Sequence, residues 1–524
     1  MLPIPRADLK PNTADFERLP LVKPTGFREY DARWLFPEEI NLMGLNAVGL
    51  GLAQLFTDRG VKRRIVVGHD FRWYSASVKQ ALMTGLMAGG MEVHDIGLAL
   101  SPMAYYAQFA LDVEGVAMVT ASHNDNGWTG IKMGLDRPLT FGPDDMNALK
   151  EIVLGGKYQT RAGGSYNFVP DIGERYMADL SNRPKLKNKL KVVAACGNGT
   201  AGAFVPQVLE AIGCEVVRLD CELDHSFPRY NPNPEDMKML HAIAEAVVKH
   251  KADVGLGFDG DSDRCGVVDN EGHEIFADKV GVMLARDLSL IHKNAVFVAD
   301  VKSTGLFMTD PVLIERGAKT LYWKTGHSYM KRYTNEKKAL AGFEKSGHFF
   351  FRAPLGRGYD DGLVSAIAVC DMLDRAAGSA GAVSAPGAQA RASAGSAPGA
   401  QGKKTMADLQ RELPKTWQSP TMSPHCGDEV KYGIVDKVIA LYKGRAAKGE
   451  TIAGQKVREL IDVNGIRVVL ADGTWGLVRA SSNKPELVVV VESPVSEANM
   501  RAIFADIDAV LGKFPEVGEY NQKI

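Results

Sequence analysis

TASHNDNGWTGIK, at residues 120–132, follows an apolar run that predicts a buried strand at residues 115–119. Ser122 stands just after the carboxyl end of that strand, with His123 beside it and Lys132 ten residues further on. The glycines allow the chain to turn sharply here, so a base and a cation can approach the serine hydroxyl. The pattern indicates a nucleophile loop, and it is equally compatible with a polar surface loop, in which His, Asn, Asp and Gly collect. The remaining segments of the chain are needed to decide between the two.

The composition is that of a globular protein with balanced charge. The 524 residues exceed what one hydrophobic core supports and predict about three or four domains. Lys and Arg number 62 against 63 Asp and Glu, which leaves a net charge of −1. This balance gives no reason to expect a nucleic-acid or membrane partner, so an anionic ligand must be bound by a local cluster of cations.

The cysteines and the N-terminal segment indicate the compartment. Six cysteines are scattered without a C-x-x-C pair, which is typical of a reducing compartment and argues against a disulfide framework or a zinc site. The first 23 residues contain four prolines and no apolar signal-peptide core. No run approaches the ~18 apolar residues of a membrane span. We therefore expect a cytoplasmic protein.

A strand followed by a polar turn and a helical pattern occurs three times. The apolar strands are predicted at residues 64–68, 190–195 and 294–299, spaced by roughly 100 to 130 residues. Strands that alternate with helices indicate a parallel or mixed sheet, with ligands at the carboxyl ends of the strands. The repeat therefore predicts three α/β domains of similar size.

Other local patterns predict further elements. Helices are predicted at residues 37–56, 362–372 and 406–413, and a linker at residues 414–424 leads to the last domain. The stretch 377–402 consists almost entirely of Ala, Gly, Ser, Pro and Gln. Such a segment cannot bury enough apolar surface to offset its ordering entropy, so we expect a disordered surface insertion.

An acidic loop follows another predicted strand. Asp259, Asp261 and Asp263 stand at every second position on this glycine-containing loop, where together they can bind one hard cation such as Mg²⁺. An EF-hand requires Gly at position 6 and Glu at position 12 of its loop, but Arg264 and Asn270 stand there, so that motif is excluded. The alternative is a chance acidic turn, although carboxylates this close repel one another unless a cation compensates them. Arg264 is placed to contact a phosphate beside the metal.

Polar side chains also collect on glycine turns in the third predicted domain. Glu344, Ser346 and His348 follow a short strand and are suited to hydrogen bonding with sugar hydroxyls. His327 follows another strand, likewise after a glycine. A single histidine is usually structural, but two histidines in such positions indicate a site.

Two further loops carry anion-binding side chains. Near the N-terminus, Tyr30 and Arg33 lie in a short loop, where a guanidinium fork can bind two phosphate oxygens. In the last domain, Arg479, Ser481 and Asn483 share a loop whose hydroxyl, amide and backbone N–H groups can bind an anion. Considered alone, the first loop is compatible with a solvated turn and the second with an ordinary hairpin.

The chain resembles the α-D-phosphohexomutase superfamily, because four loops occur in that family's order: a serine loop, an Asp-x-Asp-x-Asp loop, a Glu-x-Ser-Gly-His loop and an Arg-x-Ser loop. The similarity points to the bacterial phosphomannomutase/phosphoglucomutase branch and covers essentially the whole chain apart from the Ala/Gly-rich insertion. It implies an α/β protein with three similar mixed-sheet α/β domains and a C-terminal TATA-binding-protein-like α+β domain around a central cleft. These domains are expected at residues 1–168, 169–272, 273–414 and 415–524.

The resemblance implies a role for each site residue. Ser122 is expected to carry a phosphoryl group, and the three loop aspartates are expected to bind Mg²⁺ together with the phosphoserine oxygen. The sugar-hydroxyl contacts match Glu344 and Ser346, and the loop at residues 479–483 is expected to bind the phosphate that does not react. The remaining positions that line the family's cleft match Tyr30, Arg33, Lys132, Arg264, Lys302, His327 and His348.

Three residues are candidates for general acid and base. The hydroxyl that attacks needs a base and the serine that leaves needs an acid. Lys132 and His348 are the first candidates for these roles, and His123 is the third. Arg33, Lys132 and Arg264 are expected to neutralise the oxygens of the transferring phosphoryl group.

The resemblance implies a reversible reaction between hexose 1-phosphate and hexose 6-phosphate, for mannose and glucose, through a phosphoserine enzyme and a bound 1,6-bisphosphate. Glucose 1,6-bisphosphate or a related bisphosphate is the expected activator, sugar phosphates are the expected partners, and the chain is expected to be a monomer or dimer. A phosphoglucosamine mutase is the main alternative, although its sugar loop typically carries glutamine where Lys345 stands. A haloacid-dehalogenase-type phosphatase would use Asp259 as its nucleophile. A sugar-phosphate sensor would be expected to lack Ser122 or a metal ligand.

Overall fold

The computed structural model describes residues 10, 13–378, 403–482 and 484–524. Most of the predicted insertion, residues 379–402, lies outside the described residues, as does the predicted phosphate contact Asn483. The described chain forms four sheets in sequence order, each built from a continuous part of the chain.

The first sheet has six strands in the order β1-β5-β4-β2-β3-β6. Its central strand β2 is parallel to β3 and β4, and β5 is antiparallel to β4. The strands are β1 (Ala32–Leu35), β2 (Arg64–His69), β3 (Glu92–Leu98), β4 (Gly115–Val119), β5 (Trp128–Gly134) and β6 (Ser165–Phe168). The helices of this part are α1 (Ala14–Glu17), α2 (Leu42–Asp58), α3 (Ser75–Ala88), α4 (Ser101–Ala110) and α5 (Pro143–Gly155).

The second sheet has five strands in the order β11-β10-β9-β7-β8. Strand β7 is parallel to β8 and β9, and β10 is antiparallel to β9. The strands are β7 (Lys191–Ala195), β8 (Glu215–Leu219), β9 (Val254–Phe258), β10 (Cys265–Val268) and β11 (Glu274–Ile275). Helices α6 (Ile172–Ser181), α7 (Val205–Ala211) and α8 (Met237–His250) belong to this part.

The third sheet has four strands in the order β13-β12-β14-β15. Strand β12 is parallel to β13 and β14, and β15 is antiparallel to β14. The strands are β12 (Val296–Asp300), β13 (Lys319–Trp323), β14 (Ala341–Phe343) and β15 (Phe349–Phe351). The helices are α9 (Ala277–Ile291), α10 (Leu306–Thr309), α11 (Pro311–Glu315), α12 (His327–Glu336) and α13 (Gly362–Gly378).

One four-strand pattern is common to these three sheets. Each contains a strand flanked by two parallel neighbours, the second of which continues through a tight loop into an antiparallel strand: β3-β2-β4-β5, β8-β7-β9-β10 and β13-β12-β14-β15. The predicted repeat of three mixed α/β sheets is confirmed. The serine, aspartate and Glu-x-Ser-Gly-His loops occupy the same place in each repeat, between the third and the fourth strand of the pattern.

The fourth sheet is antiparallel and has the order β16-β20-β19-β18-β17. Alternate residues of β20 face opposite sides: Val489 packs in a core with both long helices of this part, whereas Val488 packs with Val301 of the third part. The strands are β16 (Trp417–Gln418), β17 (Val457–Ile461), β18 (Ile466–Leu470), β19 (Trp475–Ala480) and β20 (Leu487–Ser493). The helices are α14 (Met406–Arg411), which precedes the sheet, α15 (Lys431–Ala447) and α16 (Glu497–Leu511).

The first three parts share a hydrophobic core. Met103 of α4, Phe204 before α7 and Phe343 of β14 belong to one continuous cluster of buried side chains. Side chains from different sheets are therefore held in fixed relation to one another. Among the described helices, none is both long enough and apolar enough to cross a membrane.

Several predicted elements are displaced in the structure. Helix α2 begins at Leu42 rather than at residue 37, because the Asn41 side chain accepts a hydrogen bond from the Gly44 N–H at 2.8 Å and caps the helix there. Helix α13 continues to Gly378, past the predicted end at 372 and two residues into the predicted insertion. Its last turns are stabilised by Arg375, whose Nε donates to Asp287 at 2.9 Å.

Three other predictions differ in detail. The predicted linker at residues 414–424 contains the short strand β16, which pairs with the end of β20. Arg33 lies on strand β1 rather than in a loop, and Arg479 lies on β19 just before its loop. In both cases pairing with a neighbouring strand extends the ordered structure to the site residue.

Candidate active site

Ser122 lies at the carboxyl edge of the first sheet in a backbone conformation that few residues adopt. Its φ is +53°, in the left-handed region, and only 3% of the residue is exposed. The Ser122 N–H donates to Thr120 Oγ1 at 2.8 Å. The Ser122 carbonyl accepts from Arg72 Nη2 at 2.9 Å, and the same nitrogen donates to the Asn124 carbonyl at 2.7 Å. These bonds fix the serine with its hydroxyl available to the second sheet.

Asp70 and Arg72 support this loop from the segment that directly follows the neighbouring strand β2. Their side chains form a buried ion pair. Asp70 Oδ2 also accepts from Thr120 Oγ1 at 2.9 Å and from the Ala121 N–H at 3.2 Å. Because the buried carboxylate is paired and hydrogen-bonded, its charge is compensated, and the same bonds fix the backbone of the loop. The serine loop is thus held in place by hydrogen bonds to residues some 50 positions earlier in the chain.

Three aspartates of the second sheet meet the serine. Asp259, Asp261 and Asp263 are each 0% exposed, and one oxygen of each lies within 4.8 Å of the others. Ser122 Oγ donates to Asp259 Oδ2 at 3.0 Å. Gly260 permits this approach, since a Cβ at that position would lie 2.6 Å from the Ser122 carbonyl oxygen.

The acidic cluster has the properties of a cation site. Among the described residues, the buried Asp261 Oδ1 has no hydrogen-bond partner. Burial, together with the charges of Asp263 and Asp261, raises the pKa of Asp259 well above its ordinary value. Carboxylate oxygens and a hydroxyl, buried together, are the donor set that Mg²⁺ prefers. The residues present therefore fit such an ion.

Lys132 neutralises part of this cluster. It extends from β5, is 1% exposed, and its Nζ lies 2.6 Å from Asp261 Oδ2 and also contacts Asp263. Burial opposes ionisation of Asp263, but Lys132 and His348 outweigh it and hold its pKa well below the ordinary value. Lys132 is therefore a charge partner of the acidic cluster in this structure.

His123 is the candidate base nearest the serine. Its Nδ1 lies 3.3 Å from Ser122 Oγ. Burial lowers the pKa of His123 well below its ordinary value, and the positive charges of Arg264 and Arg33 lower it further. The imidazole is therefore neutral at neutral pH and can accept a proton.

Two guanidinium groups flank the acidic cluster. Arg33 Nη1 donates to the Thr120 carbonyl at 2.6 Å, and its Nη2 lies 2.9 Å from Asp31. Arg264 Nε lies 3.7 Å from Asp259 Oδ2, and its Nη1 lies 3.2 Å from the half-exposed Glu235. Of the predicted phosphate-binding cations, Arg33 thus contacts the serine loop and Arg264 contacts the metal loop.

The Glu-x-Ser-Gly-His loop of the third sheet contacts the metal loop directly. Glu344 Oε1 accepts from the Gly326 N–H at 2.6 Å, and its Oε2 lies 3.2 Å from His348 Nδ1. Ser346 Oγ lies 3.0 Å from the same nitrogen, and His348 Nε2 lies 3.3 Å from Asp263 Oδ1. Burial opposes protonation of His348, but the carboxylates on both sides outweigh it and raise its pKa to about 9.

The other predicted residues of the third sheet lie around this loop. The His327 ring is 5.9 Å from that of His348 and 4.9 Å from that of Tyr30, which comes from the first part. Burial, and the nearby charges of Lys132 and other cations, lower the pKa of His327 well below its ordinary value. Lys302 is 8% exposed and is among the cations that lower the pKa of Glu344.

The loop of the fourth sheet is a compact donor cluster. Arg479 is buried and its Nη2 donates to Ser482 Oγ at 3.1 Å. Ser481 Oγ accepts from the Lys484 N–H at 3.3 Å. The buried Arg479 Nε has no hydrogen-bond partner among the described residues. Lys484 is one of the charges that lower the pKa of His123, so this loop lies near the serine loop.

Comparison with known proteins agrees with this arrangement. Four family models match the chain in order: phosphoglucomutase/phosphomannomutase alpha/beta/alpha domains I, II and III at residues 24–160, 174–272 and 276–385, and the C-terminal domain at residues 441–510. A phosphomannomutase/phosphoglucomutase of Pseudomonas putida is 32% identical over 91% of this chain and 93% of its own length.

The chain belongs to the phosphoglucomutase/phosphomannomutase family.

Other members of the family support the same conclusion. A phosphoglucomutase of Neisseria gonorrhoeae is 28% identical over 94% of this chain and 97% of its own length. The crystal structure of a phosphoglucomutase/phosphomannomutase family protein from Burkholderia thailandensis covers 94% of this chain and 98% of its own, with a TM-score of 0.79 and 27% identity. The expected superfamily and its bacterial branch are confirmed.

The phosphoglucomutase/phosphomannomutase fold brings the loops of Ser122, Asp259 and His348 into contact, and it adds residues that the sequence did not single out. Asp70 and Arg72 hold the serine loop, and Lys484 lies near His123. The sequence did contain an indication for Asp70 and Arg72, because both directly follow a predicted strand. The predicted site residue Lys302 occupies a similar position after its own strand. Their polarity alone did not show which backbone groups they would contact.

Proposed function

We propose that this family member is a phosphohexomutase that interconverts the 1-phosphates and 6-phosphates of mannose and glucose. The observation that carries the proposal is the contact of Ser122 Oγ with Asp259 at 3.0 Å, inside a buried set of three aspartates. A serine so placed can hold a phosphoryl group whose oxygen completes a metal site. The relatives named phosphomannomutase/phosphoglucomutase support the same assignment.

The metal we propose is Mg²⁺. Asp259, Asp261 and Asp263 would hold it, together with the phosphate oxygen on Ser122. When bound, Mg²⁺ polarises the phosphoryl group and offsets its charge. Arg33, beside the serine loop, and Arg264, beside Asp259, would bind the remaining phosphoryl oxygens and lower the repulsion between two phosphate dianions.

The first half of the reaction transfers the phosphoryl group from Ser122 to the sugar. A new bond forms between the sugar oxygen and phosphorus as the bond from phosphorus to Ser122 Oγ breaks. We assign the proton to His123, because its imidazole is neutral and its Nδ1 lies 3.3 Å from the serine oxygen. The proton lost by the attacking hydroxyl is balanced by the proton that Ser122 Oγ gains, so no net proton is released, and His123 is the residue placed to deliver the proton to the serine.

This assignment changes the order of the three acid–base candidates. Lys132 is engaged by Asp261 and Asp263, and His348 is held protonated between Asp263 and Glu344. Both are better suited to neutralise charge than to accept a proton. His123, the third candidate by sequence, becomes the first.

The second half of the reaction returns a phosphoryl group to the same serine. The bound 1,6-bisphosphate turns in the cleft, so that its other phosphate faces Ser122. Glu344 and Ser346 offer hydrogen-bonding groups for the sugar hydroxyls, and Arg479 with Ser481 binds the distal phosphate in either orientation. A hexose 1,6-bisphosphate that dissociates leaves an inactive serine, so glucose 1,6-bisphosphate is the proposed activator.

The active chain is proposed to act in the cytoplasm on free sugar phosphates, as a monomer or dimer. The six cysteines are all free and buried, which supports a reducing compartment. A phosphoglucosamine mutase is the weaker alternative. Lys345, which stands where that mutase typically carries glutamine, is buried with its Nζ 3.7 Å from Asp278.

One assay tests the proposed function. The purified chain is incubated with Mg²⁺, a trace of glucose 1,6-bisphosphate, and mannose, glucose or glucosamine 1-phosphate, and the 6-phosphate is measured. We expect conversion of mannose and glucose 1-phosphate with little release of inorganic phosphate. Preferential conversion of glucosamine 1-phosphate would favour the alternative mutase, and stoichiometric phosphate release would favour a phosphatase.

A further inference from the structure

The two faces of the fourth sheet pack against different parts of the chain. One face carries α15 and α16 on a core that includes Val489. The other face, with Val488, Val490 and Trp475, packs on Val301, the first residue after strand β12. Val301 opens the turn that carries Lys302, a buried cation that is among the groups lowering the pKa of Glu344. The sheet therefore packs directly on the turn that carries Lys302.

From this face we infer that Arg467 and Glu492 are positioning residues, which hold Lys302 of the third part in the orientation that the hexose phosphate requires. The inference rests on the proposed function, since it assigns Lys302 to the substrate. Neither residue reaches the reacting atoms. Both act through the backbone of the turn at residues 301–305.

Arg467 binds the two carbonyl groups that flank Lys302. Its Nη1 donates to the Val301 carbonyl at 2.9 Å and to the Ser303 carbonyl at 2.7 Å. The guanidinium is 3.6 Å from the centre of the Trp475 ring and 4.3 Å from that of Tyr322. The residue is 2% exposed. A guanidinium that is stacked on aromatic rings and donates to two carbonyls has a fixed orientation, and it transmits that orientation to the peptide groups it binds.

Glu492 holds the next part of the same turn. Its Oε1 accepts from Thr304 Oγ1 at 2.7 Å, and its Oε2 accepts from the Gly305 N–H at 2.7 Å. Oε2 also accepts from Trp475 Nε1 at 2.8 Å, and Lys279 Nζ lies 2.7 Å from Oε1. Burial opposes ionisation of Glu492, but Lys279 and these donors outweigh it and lower its pKa to about 2. The carboxylate therefore stays charged and keeps every one of these bonds at neutral pH.

The arrangement gives the turn little freedom of its own. The Thr304 carbonyl accepts from Tyr322 at 2.6 Å, and the Thr304 N–H donates to Asp278 at 2.8 Å. Lys302 thus stands on a turn whose two flanking carbonyl groups are bound by the Arg467 side chain, while the flanking Val301 and Ser303 N–H groups bind backbone carbonyls. Arg467 and Glu492, which bind this turn, come from the fourth part. If that part moves when the phosphate loop closes on a ligand, the movement is passed directly to Lys302.

A second contact extends the same coupling. The Thr325 N–H donates to Asn464 Oδ1 of the fourth part at 3.3 Å. Thr325 directly precedes Gly326, whose N–H binds Glu344. The sugar-contacting loop is therefore supported from the same side as Lys302, by a loop that precedes β18.

A double-mutant cycle tests the inference. Arg467→Lys, Lys302→Met and the double variant are compared with wild type by kcat/KM for glucose 1-phosphate. We expect each single change to lower kcat/KM on the order of 100-fold, because small displacements of a charged contact have effects of this size. In the Lys302→Met background, Arg467→Lys should cost less than about threefold, since the group it positions is gone. Arg445→Lys, which alters an ion pair with Asp506 elsewhere in the same part, serves as the control. Its effect on kcat/KM should be the same in the wild-type and the Lys302→Met backgrounds.

A chemical measurement separates this inference from the proposed function. Acetic anhydride labelling of the full chain is followed by mass spectrometry at Lys302 and at the exposed Lys523, whose side chain is 50% exposed. We expect Arg467→Lys and Glu492→Gln to increase labelling at Lys302 severalfold and to leave Lys523 unchanged. This readout does not require turnover, so it remains valid even if no hexose phosphate is converted.

Three results would overturn the inference. One is equal loss of kcat/KM by Arg467→Lys in both backgrounds. Another is Lys302→Met with wild-type turnover, and the third is unchanged labelling of Lys302 in both variants. A wild-type chain without mutase activity would instead refute the proposed function, and increased labelling in that case would still support the positional role of Arg467.

Discussion

Ser122 Oγ and Asp259 Oδ2 lie 3.0 Å apart, although the two residues belong to different sheets and are 137 positions apart in the chain. Each residue occupies the loop between the third and fourth strand of its own repeat. Two copies of one structural loop therefore face each other, one with a hydroxyl and one with carboxylates. The third copy carries Glu344 and His348, and His348 contacts Asp263 of the acidic cluster. A repeated fold has thus supplied three different chemical groups at a single point.

Ser122→Ala removes the proposed phosphoryl carrier. We expect mutase activity to fall by about 10⁴-fold or more, because the enzyme loses the group that is covalently modified in each cycle. The matched control is Ser289→Ala, a buried serine of α9 whose hydroxyl donates to the Arg286 carbonyl at 2.8 Å. That control should turn over at nearly the wild-type rate. Turnover of the Ser122 variant within tenfold of wild type would refute the phosphoserine mechanism.

Lys132→Met tests the charge balance of the acidic cluster. Without Lys132, the buried Asp261 and Asp263 lose their paired cation, so we expect the free energy of unfolding to fall by about 3–5 kcal/mol in EDTA. Added Mg²⁺ should restore much of this loss, because it neutralises the same carboxylates. Thermal unfolding with EDTA and with Mg²⁺ measures both effects.

Lys79→Met is the control for that experiment. Lys79 forms a comparable buried ion pair with Asp95 at 2.6 Å, away from the acidic cluster. This variant should also be destabilised, but by the same amount with EDTA and with Mg²⁺. If Mg²⁺ stabilised both variants equally, the aspartates would not be its binding site.

Arg72→Lys tests how the serine loop is held. A lysine keeps the charge beside Asp70 but cannot reproduce the fork that binds the Ser122 and Asn124 carbonyls. We expect kcat to fall on the order of 100-fold, while KM for the hexose phosphate changes by less than about threefold. Steady-state kinetics on glucose 1-phosphate separates the two parameters. Arg137→Lys, a partly exposed pair with Asp112 in the same part of the chain, should leave both nearly unchanged.

The sequence allowed the general architecture and most of the site to be predicted, because its signals are local. Ser122 and the three aspartates directly follow apolar strands, and the carboxyl ends of such strands meet at one edge of a sheet. The three similar units could be inferred from the spacing of the strands. Tyr30, Lys302 and Arg479 were placed by the family resemblance, and in the structure Tyr30 packs against His327 and Lys302 is among the charges that act on Glu344.

What could not be predicted depends on contacts between distant segments. Arg72 was visible at a strand end, but its partners are carbonyl groups 50 and 52 residues away. Arg467 and Glu492 lie on strands of a different part from the turn they bind. Glu492 gave a signal, since it follows five apolar residues on β20, where an isolated charge indicates a buried partner. The identity of that partner requires the packing of two domains.

Glu492→Gln tests the buried charge at that interface through its pH dependence. The pKa of Glu492 is lowered from 4.5 to about 2 in the folded chain. A carboxyl group with a lowered pKa adds stability that is complete above its unfolded pKa and is lost as the pH falls through the folded value. The variant should therefore be less stable than wild type by about 3 kcal/mol at pH 7, and the difference should shrink between pH 4.5 and pH 2. Urea unfolding at pH 7, 5 and 3 measures it, with Glu497→Gln, an exposed partner of Arg501, as the control that shows no such trend. A difference that stays constant from pH 7 to pH 3 would show that the Glu492 charge does not stabilise the interface.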